Sequence, residues 1–308
     1  MAAAQKARHI LKLSTQEQKA FVDSFDVVMC DCDGVMWMIT TPLPGTGDAV
    51  NSLKADGKQV LFVTNNSMRS DEEYVNKFTD IGVKDFQKDD LIQPAKSMLY
   101  YLKKYNIKQP VFSLCSDPAN EIIRNGGIEV ITLDTPPKIA VDKLPEVTQP
   151  KRNVGAVLYD ININLNYAQI CAATRYLQDK DCVFITGGTD WLLPVTADLI
   201  VPGFCDTLET IKRFTHKDAI IVSKPAALLG DIVKDVYNLK DPKRCLFVGD
   251  SLTLDIRFSL NVGFQSLLVL TGTTTKQEML DASIDRQPDY YADGIADFIK
   301  LYENINGA

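Results

Sequence analysis

Short, near-continuous apolar runs recur along this chain and alternate with amphipathic stretches of roughly 10 to 15 residues. Val27–Asp31, Val60–Thr64, Ile220–Ser223, Leu246–Asp250 and Ser266–Leu270 have the texture of strands covered on both faces. Gly47–Ala55, Asp71–Phe78 and Ala226–Tyr237 read as the helices between them. This alternation predicts βαβ units and an α/β fold with a parallel sheet. About 155 residues separate the second run from the third, far too many for one crossover, so a further domain is inserted there. The insertion has βαβ texture of its own. Val111–Leu114, Val154–Tyr159 and Cys182–Thr186 read as strands, and Pro94–Lys104, Pro118–Arg124 and Leu165–Leu177 as helices. The expected organisation is a discontinuous Rossmann-like core over 1–93 and 205–308, with an α/β domain inserted over 94–204.

Charge excludes several function classes. The 33 basic against 40 acidic residues leave a net charge of −7, and no basic block stands out, which argues against nucleic acid and anionic membranes as partners. No apolar run reaches the length of a membrane helix. Seven scattered cysteines without a C-x-x-C pair, and only two histidines, argue against a zinc site and suit reduced thiols in the cytoplasm. Lys6, Arg8 and Lys12 precede any acid, yet Ser14 or Thr15 leading Gln16–Phe21 reads as a capped helix rather than a targeting segment.

Ligands of open α/β sheets bind beyond the carboxyl ends of the strands. The first run ends in Asp31-Cys32-Asp33-Gly34, the second in Thr64-Asn65-Asn66-Ser67, the third in Ser223-Lys224-Pro225, and the fourth in Gly249-Asp250-Ser251 with Asp255 following. In an extended chain Asp31 and Asp33 point the same way, and two adjacent carboxylates repel unless a cation separates them or one is protonated. A strand-end cap explains one aspartate but not both. With Asp250 and Asp255 they form an oxygen-rich set that fits a hard dication such as Mg²⁺. Thr64, Asn65 and Asn66 offer hydroxyl, amide and backbone donors suited to phosphate oxygens, and Lys224 offsets charge at the same rim. No G-x-G-x-x-G follows the first run, which excludes a nicotinamide-cofactor site there.

DCDGV at Asp31–Val35, TNNS at Thr64–Ser67, SKP at Ser223–Pro225 and GDSLTLD at Gly249–Asp255 resemble the four motifs of haloacid dehalogenase-superfamily phosphatases. The inserted domain falls where that superfamily carries its C2-type α/β cap. VMCDCDGVMW, the LPG at Leu43–Gly45, FVTNNS and the late LTGTTT resemble the phosphoglycolate phosphatase/pyridoxal phosphate phosphatase (4-nitrophenylphosphatase) branch. The resemblance implies Asp31 as nucleophile and Asp33 as general acid/base. It implies Mg²⁺ held by Asp31, Asp250 and the Asp33 backbone carbonyl, with Asp255 positioning metal waters or Lys224. Thr64, Asn65, Asn66 and Lys224 would hold the phosphoryl group. Asp190 and Pro194, in TDWLLP, sit where that branch reaches from the cap toward substrate.

The chain departs from the branch where Ser223 replaces a glycine, where Thr253 and Leu254 replace a polar pair, in MITTPLPG, and at Trp191 and Leu192. None removes a group the chemistry needs. The expected function is Mg²⁺-dependent hydrolysis of a small phosphorylated metabolite resembling phosphoglycolate, and of p-nitrophenyl phosphate, through an aspartyl-phosphate. Pyridoxal 5′-phosphate is the alternative substrate, and a catalytically silent binding protein the alternative class. A phospho-accepting signalling domain would need neither Asp33 nor the insertion. The resemblance also implies a homodimer formed through the cap.

Overall fold

The computed structural model describes residues 6–307 apart from 39, 108, 109, 137, 197 and 198. The chain divides into two compact units. The first comprises residues up to Thr64, Asp71–Ile92 and Lys224 onward; the second comprises Asn65–Ser70 and Gln93–Ser223.

The first unit is built on a seven-stranded parallel sheet. Its order is Arg8–His9, Tyr290–Ala292, Gln265–Val269, Cys245–Gly249, Val27–Cys30, Gln59–Val63, Leu91–Ile92. Four of the expected core runs are strands here, each within a residue of its expected bounds, because apolar side chains cover both sheet faces. One cluster joins Val28, Cys30, Phe62, Val248 and Leu267 of the sheet with Phe78 and Phe298 of flanking helices. From Val27–Cys30 the chain first adds strands on one side, and after the insertion it adds them on the other, beginning with Cys245–Gly249. The order therefore reverses between these two neighbours, and the crevice at such a reversal is where α/β sheets take ligands. The expected first helix forms over Thr15–Asp23, with Ser14 and Glu17 closing a reciprocal capping box.

The second unit has its own five-stranded parallel sheet, in the order Ile220–Ile221, Val183–Thr186, Ala156–Tyr159, Val111–Ser113, Val130–Ile131. Its core packs Phe112, Val157, Tyr159 and Phe184 against Ala173 and Tyr176 of the Tyr167–Tyr176 helix. Two expectations are corrected. Ile220–Ser223 is not a strand of the first sheet: only Ile220 and Ile221 are extended, and they pair with Ile185 and Thr186 at the edge of the second sheet. The helix Cys205–Thr215, expected in the core, lays Leu208 and Ile211 into the second unit's apolar cluster. Its boundary with the first unit therefore falls after Ser223 rather than at 204, and Asn65–Ser70 also groups with it.

The Leu192–Thr196 and Leu199–Pro202 strands form a separate antiparallel hairpin that exposes Trp191, Leu192 and Leu199. Pro194 lies on this hairpin. No described helix is long and apolar enough to cross a membrane.

Candidate active site

Asp31 and Asp250 stand one residue beyond the two strands that flank the first sheet's reversal. The Asp31 N–H extends the ladder by donating to the Val248 carbonyl at 2.9 Å, which fixes where its side chain leaves the sheet. Asp31 Oδ1 accepts from the Cys32 N–H at 2.7 Å and from Lys224 Nζ at 2.8 Å. Lys224 Nζ also donates to Asp255 Oδ1 at 2.8 Å, and both residues are buried, at 1% and 0% exposure. Asp255 Oδ2 accepts from the backbone N–H groups of Asp250 and Ser251, each at 3.0 Å. Asp250 Oδ2 accepts from the Thr273 N–H at 2.6 Å and the Thr273 hydroxyl at 2.8 Å.

Local backbone form delivers these groups. Asp255 lies on a π-helical turn, Leu252–Ile256, in which the N–H groups of Asp255 and Ile256 both reach the Ser251 carbonyl at 3.0 Å. Such widened turns concentrate at functional sites because they re-aim a side chain that a regular helix would carry past. Glycines make room for the carboxylates. A Cβ on Gly272 would lie 2.0 Å from Asp250 Oδ2, and one on Gly249 would lie 2.2 Å from the Asp255 Cβ. Gly34, at φ +86°, would place a Cβ 2.6 Å from the Asp250 Cγ, so both its conformation and its packing demand glycine.

One ligand oxygen from each of Asp31, Asp250 and Asp255 lies within 4.8 Å of the others. Three carboxylates against one ammonium leave two negative charges in a largely buried place. Burial pushes the Asp31 carboxyl well above the ordinary carboxylate range, and the neighbouring Lys224 only partly restores it. Burial and the charge of Asp255 push Asp250 up to about 6. Burial opposes the charged form of Lys224, but Asp255 and Asp31 outweigh it and hold the ammonium protonated well above its usual range. A hard dication fits this set: the donors are all oxygen, they lie close together, and two positive charges would balance the excess. Asp255 has both oxygens engaged by Lys224 and backbone N–H groups, which suits it to orienting Lys224 rather than to direct ligation.

Asp33 is held differently. Its Oδ1 accepts from the Trp37 indole N–H at 2.9 Å, and Gly34 N–H donates to the Trp37 carbonyl at 2.7 Å, closing a tight turn after the strand. Its carboxylate is not one of the three clustered above. Trp37 is fully buried, edge-on to Phe78 with ring centroids 4.9 Å apart, and carries Lys77 Nζ 4.3 Å above its ring. Thr64 is buried at the end of the neighbouring strand and donates its N–H to Ile92 at 3.0 Å. Asn65, Asn66 and Asp190 belong to the second unit. There, Asn66 Oδ1 accepts from Met68 N–H at 3.0 Å, and the Asp190 carbonyl accepts from Cys205 N–H at 3.0 Å.

Cys30 and Cys32, on either side of Asp31, are buried, and burial raises both thiols far out of the nucleophilic range. A second group, His9 with Asp293 and Asp297, meets the spacing of a metal site. His9 Nδ1, however, accepts the Leu11 N–H at 3.2 Å, which puts the ring proton on Nε2, 3.4 Å from Asp293 and 3.8 Å from Asp297. That nitrogen is a donor to the acids and has no lone pair for a metal.

Sequence reasoning passed over Thr273, Gly272 and Trp37 as site residues. Thr271–Thr274 follow the fifth run, Gln265–Val269, so a strand-end position marks them as it marks Asp31 and Asp250. The substitution of Ser223 for glycine leaves a buried hydroxyl without a hydrogen-bond partner, whereas Thr253 lies 3.2 Å from the Ser251 hydroxyl.

Comparison with known proteins agrees with this geometry. Residues 28–129 match the family described as haloacid dehalogenase-like hydrolase, and residues 221–298 match a second, HAD-hydrolase-like description. The chain is 33% identical to the 4-nitrophenylphosphatase of Schizosaccharomyces pombe, over 92% of this chain and 96% of that one. It is 30% identical to phosphoglycolate phosphatase 2 of Arabidopsis thaliana, over 95% and 98% of the two chains. Among solved structures, the glycerol phosphate phosphatase of Mycobacterium tuberculosis in complex with magnesium shares the fold, with a TM-score of 0.75 at 20% identity, over 90% of this chain and 77% of that one.

Proposed function

This chain belongs to the haloacid dehalogenase-like hydrolase family and is a phosphatase, and from that premise we propose that it hydrolyses a small phosphoglycolate-like phosphomonoester, with Mg²⁺, through an aspartyl-phosphate on Asp31. The observation that carries the reading is the division of labour within Asp31. Its Oδ1 is tied to Lys224 and the Cys32 N–H, while Oδ2 takes part in neither bond and is the oxygen available to attack.

Asp31, Asp250 and the Asp33 carbonyl would hold the cation. Bound there, Mg²⁺ supplies charge neutralisation between an anionic nucleophile and an anionic ester. Asp31 Oδ2 attacks phosphorus in line, the ester P–O bond breaks, and Asp33 gives its proton to the departing oxygen. Asp33 then takes a proton from the incoming water, whose oxygen displaces Asp31 from phosphorus. Inorganic phosphate leaves, and both aspartates return to their starting states. Lys224 keeps its charge throughout and stabilises the oxygens around phosphorus, with Thr64, Asn65 and Asn66 as hydrogen-bonding partners and Asp190 reading the remainder of the substrate.

Hydrolysis of p-nitrophenyl phosphate is expected in Mg²⁺, with loss on EDTA treatment and in Asp31→Asn. Folded, metal-loaded protein that turns over no phosphomonoester would overturn the proposal. Comparing kcat/KM for phosphoglycolate, pyridoxal 5′-phosphate and sugar phosphates decides the substrate. We also place the protein in the cytoplasm, a reading supported by seven cysteines that are all free. A homodimer formed through the inserted domain is supported by the exposed Trp191, Leu192 and Leu199, and sedimentation tests it.

A further inference from the structure

Ala156–Tyr159 is the central strand of the second unit's sheet, and Asp160 stands one residue beyond its carboxyl end. The side chain is fully buried. Its Oδ1 accepts from the Ile161 N–H at 2.8 Å, and its Oδ2 from the Ser67 hydroxyl at 2.5 Å. The neighbouring strand, Val183–Thr186, pairs in parallel with Thr186 opposite Tyr159, and Gly187 follows it. A Cβ on Gly187 would lie 3.1 Å from each Asp160 carboxylate oxygen and 2.4 Å from the Pro94 Cβ, so the glycine leaves the carboxylate its room.

A buried acid is costly when no opposite charge meets it. Neither hydrogen-bond partner of Asp160 is charged, and burial pushes its carboxyl up to about 7. None of the reaction steps proposed above uses it. A serine or asparagine oxygen would serve the Ile161 N–H alone. What the acid adds is its second oxygen on Ser67, in a bond of the kind that strengthens when one partner is ionised.

Ser67 closes the Thr64-Asn65-Asn66-Ser67 motif and is itself fully buried. Ser67, Ser116 and Asp160 all belong to the second unit. The Ser67 carbonyl accepts from the Ser116 hydroxyl at 2.9 Å, a second hold on the same residue. Asn66 Oδ1 accepts from the Met68 N–H at 3.0 Å, which folds the backbone around Ser67 into an Asx-turn. At the motif's other end, the Thr64 N–H donates to the Ile92 carbonyl at 3.0 Å. Asn65 and Asn66 thus lie between two anchors, the first sheet before them and Asp160 with Ser116 after them. Consecutive Cα atoms are about 3.8 Å apart, so so short a segment has little slack and a shift at Ser67 passes to both asparagines.

We propose that Asp160 is a positioning residue for the phosphoryl group: through Ser67 it fixes where Asn65 and Asn66 present their hydrogen-bonding groups. The inference rests on the function proposed above, in which those asparagines hold the phosphoryl oxygens. Misplacing a binding group by about 1 Å can cost about 100-fold, so a distant anchor of this kind has leverage on the reaction.

Inorganic phosphate is the probe, titrated calorimetrically into the full chain in saturating Mg²⁺, with p-nitrophenyl phosphate turnover measured alongside. Ser67→Ala and Asp160→Ala should each weaken phosphate binding by about tenfold, the worth of one hydrogen bond on the segment. Combined, they should cost no more than the larger single loss, because both remove the same bond. Asp160→Asn should bind phosphate within about threefold of the wild type, since its amide oxygen can accept from Ile161 and its NH₂ can donate to the Ser67 hydroxyl oxygen. A residue that served only the second unit's fold would lower Tm and leave phosphate affinity unmoved. If Asp160→Ala does not fold, Ser67→Ala and Asp160→Asn still decide. Phosphate affinity unchanged in Ser67→Ala, losses that add in the double variant, or Asp160→Asn as weak as Ser67→Ala would each overturn this inference while a wild type active on p-nitrophenyl phosphate leaves the proposed function standing. A folded, metal-loaded wild type that turns over no phosphomonoester would overturn both.

Discussion

Trp37→Phe separates the positioning of the general acid from every other part of the site. The indole N–H holds Asp33 Oδ1 at 2.9 Å, and the ring is buried between Phe78 and Lys77, 4.9 Å centroid to centroid from the first and 4.3 Å from the second's ammonium. Phenylalanine keeps an aromatic face in that place and removes the one donor. Asp33 is protonated when it acts as the acid, and a hydrogen bond to a neutral acceptor is worth about 0.5–1.5 kcal/mol. If that whole sum serves to keep Asp33 in line with the departing oxygen, the loss in transition-state stabilisation corresponds to about 2- to 13-fold in rate. The ceiling is the full contribution of general acid catalysis, about 10²–10⁴-fold.

The effect should depend on what leaves. An alkoxide needs a proton from Asp33 as the ester bond breaks, whereas p-nitrophenolate is stable as an anion and needs little help. The parameter to follow is kcat/KM, since it reports steps up to formation of the aspartyl-phosphate and not the later hydrolysis in which Asp33 acts as base. Trp37→Phe should therefore lower kcat/KM for phosphoglycolate by about 2- to 13-fold and leave that for p-nitrophenyl phosphate nearly unchanged. Thermal unfolding of the variant establishes that the fold is kept. Equal losses on both substrates would show that Trp37 acts through general packing, and no loss on either would show that Asp33 needs no such restraint; each result refutes the reasoning.

Lys224→Met should lower unfolding free energy by about 3–5 kcal/mol in metal-free protein, because Asp31 and Asp255 lose a shared buried partner, and by less in Mg²⁺; a urea titration in each condition reads both numbers. Gly272→Ala drives a methyl into Asp250 Oδ2 and should weaken divalent-cation binding by about 10- to 100-fold in calorimetry, the range typical when the support of a ligating group is lost. Asp160, fully buried in the second unit with Ser67 and the Ile161 N–H on its oxygens, has its carboxyl pushed up to about 7 by burial. A raised carboxyl keeps its proton in the folded state after the unfolded chain has lost it, so the stability it confers is complete below about pH 4 and is lost as pH rises toward 7, by up to about 4 kcal/mol. Asp160→Asn should flatten that decline in denaturant titrations at pH 5 and pH 8; parallel pH profiles for the two proteins would count against it.

The acid cluster was legible in the sequence because its residues sit at strand ends, and strand ends are marked by the switch from apolar run to polar loop. Asp31, Thr64 and Asp250 each follow such a run, and the parallel sheet then brings them to one edge. Trp37 and Thr273 escaped for complementary reasons. A tryptophan three residues past a glycine reads as core, and it is core; its indole N–H acquires a function only through a turn whose geometry depends on Gly34. Thr273 lies in a threonine-rich loop in which the sequence does not distinguish the one hydroxyl that grips Asp250 from its neighbours.

Lys224 marks where pattern reading has to stop. Ala219–Val222 is apolar enough to pass for a buried central strand, yet its middle is a two-residue edge strand with Ile221 37% exposed. Apolar content reports that a segment is covered, not which of two sheets covers it, and the same ambiguity sent the Cys205–Thr215 helix to the wrong unit. The lysine's place at the acid cluster therefore does not come from ending a core strand. It comes from the chain's return from the second unit, which occurs between Ser223 and Lys224, just as the earlier departure occurs between Thr64 and Asn65. Two of the four motifs are thus also crossings of the chain between units. The substitution of a serine for glycine at 223 falls on one of these crossings, and a change there acts on Lys224 through the backbone. It should alter how firmly Lys224 holds Asp31 without touching either side chain.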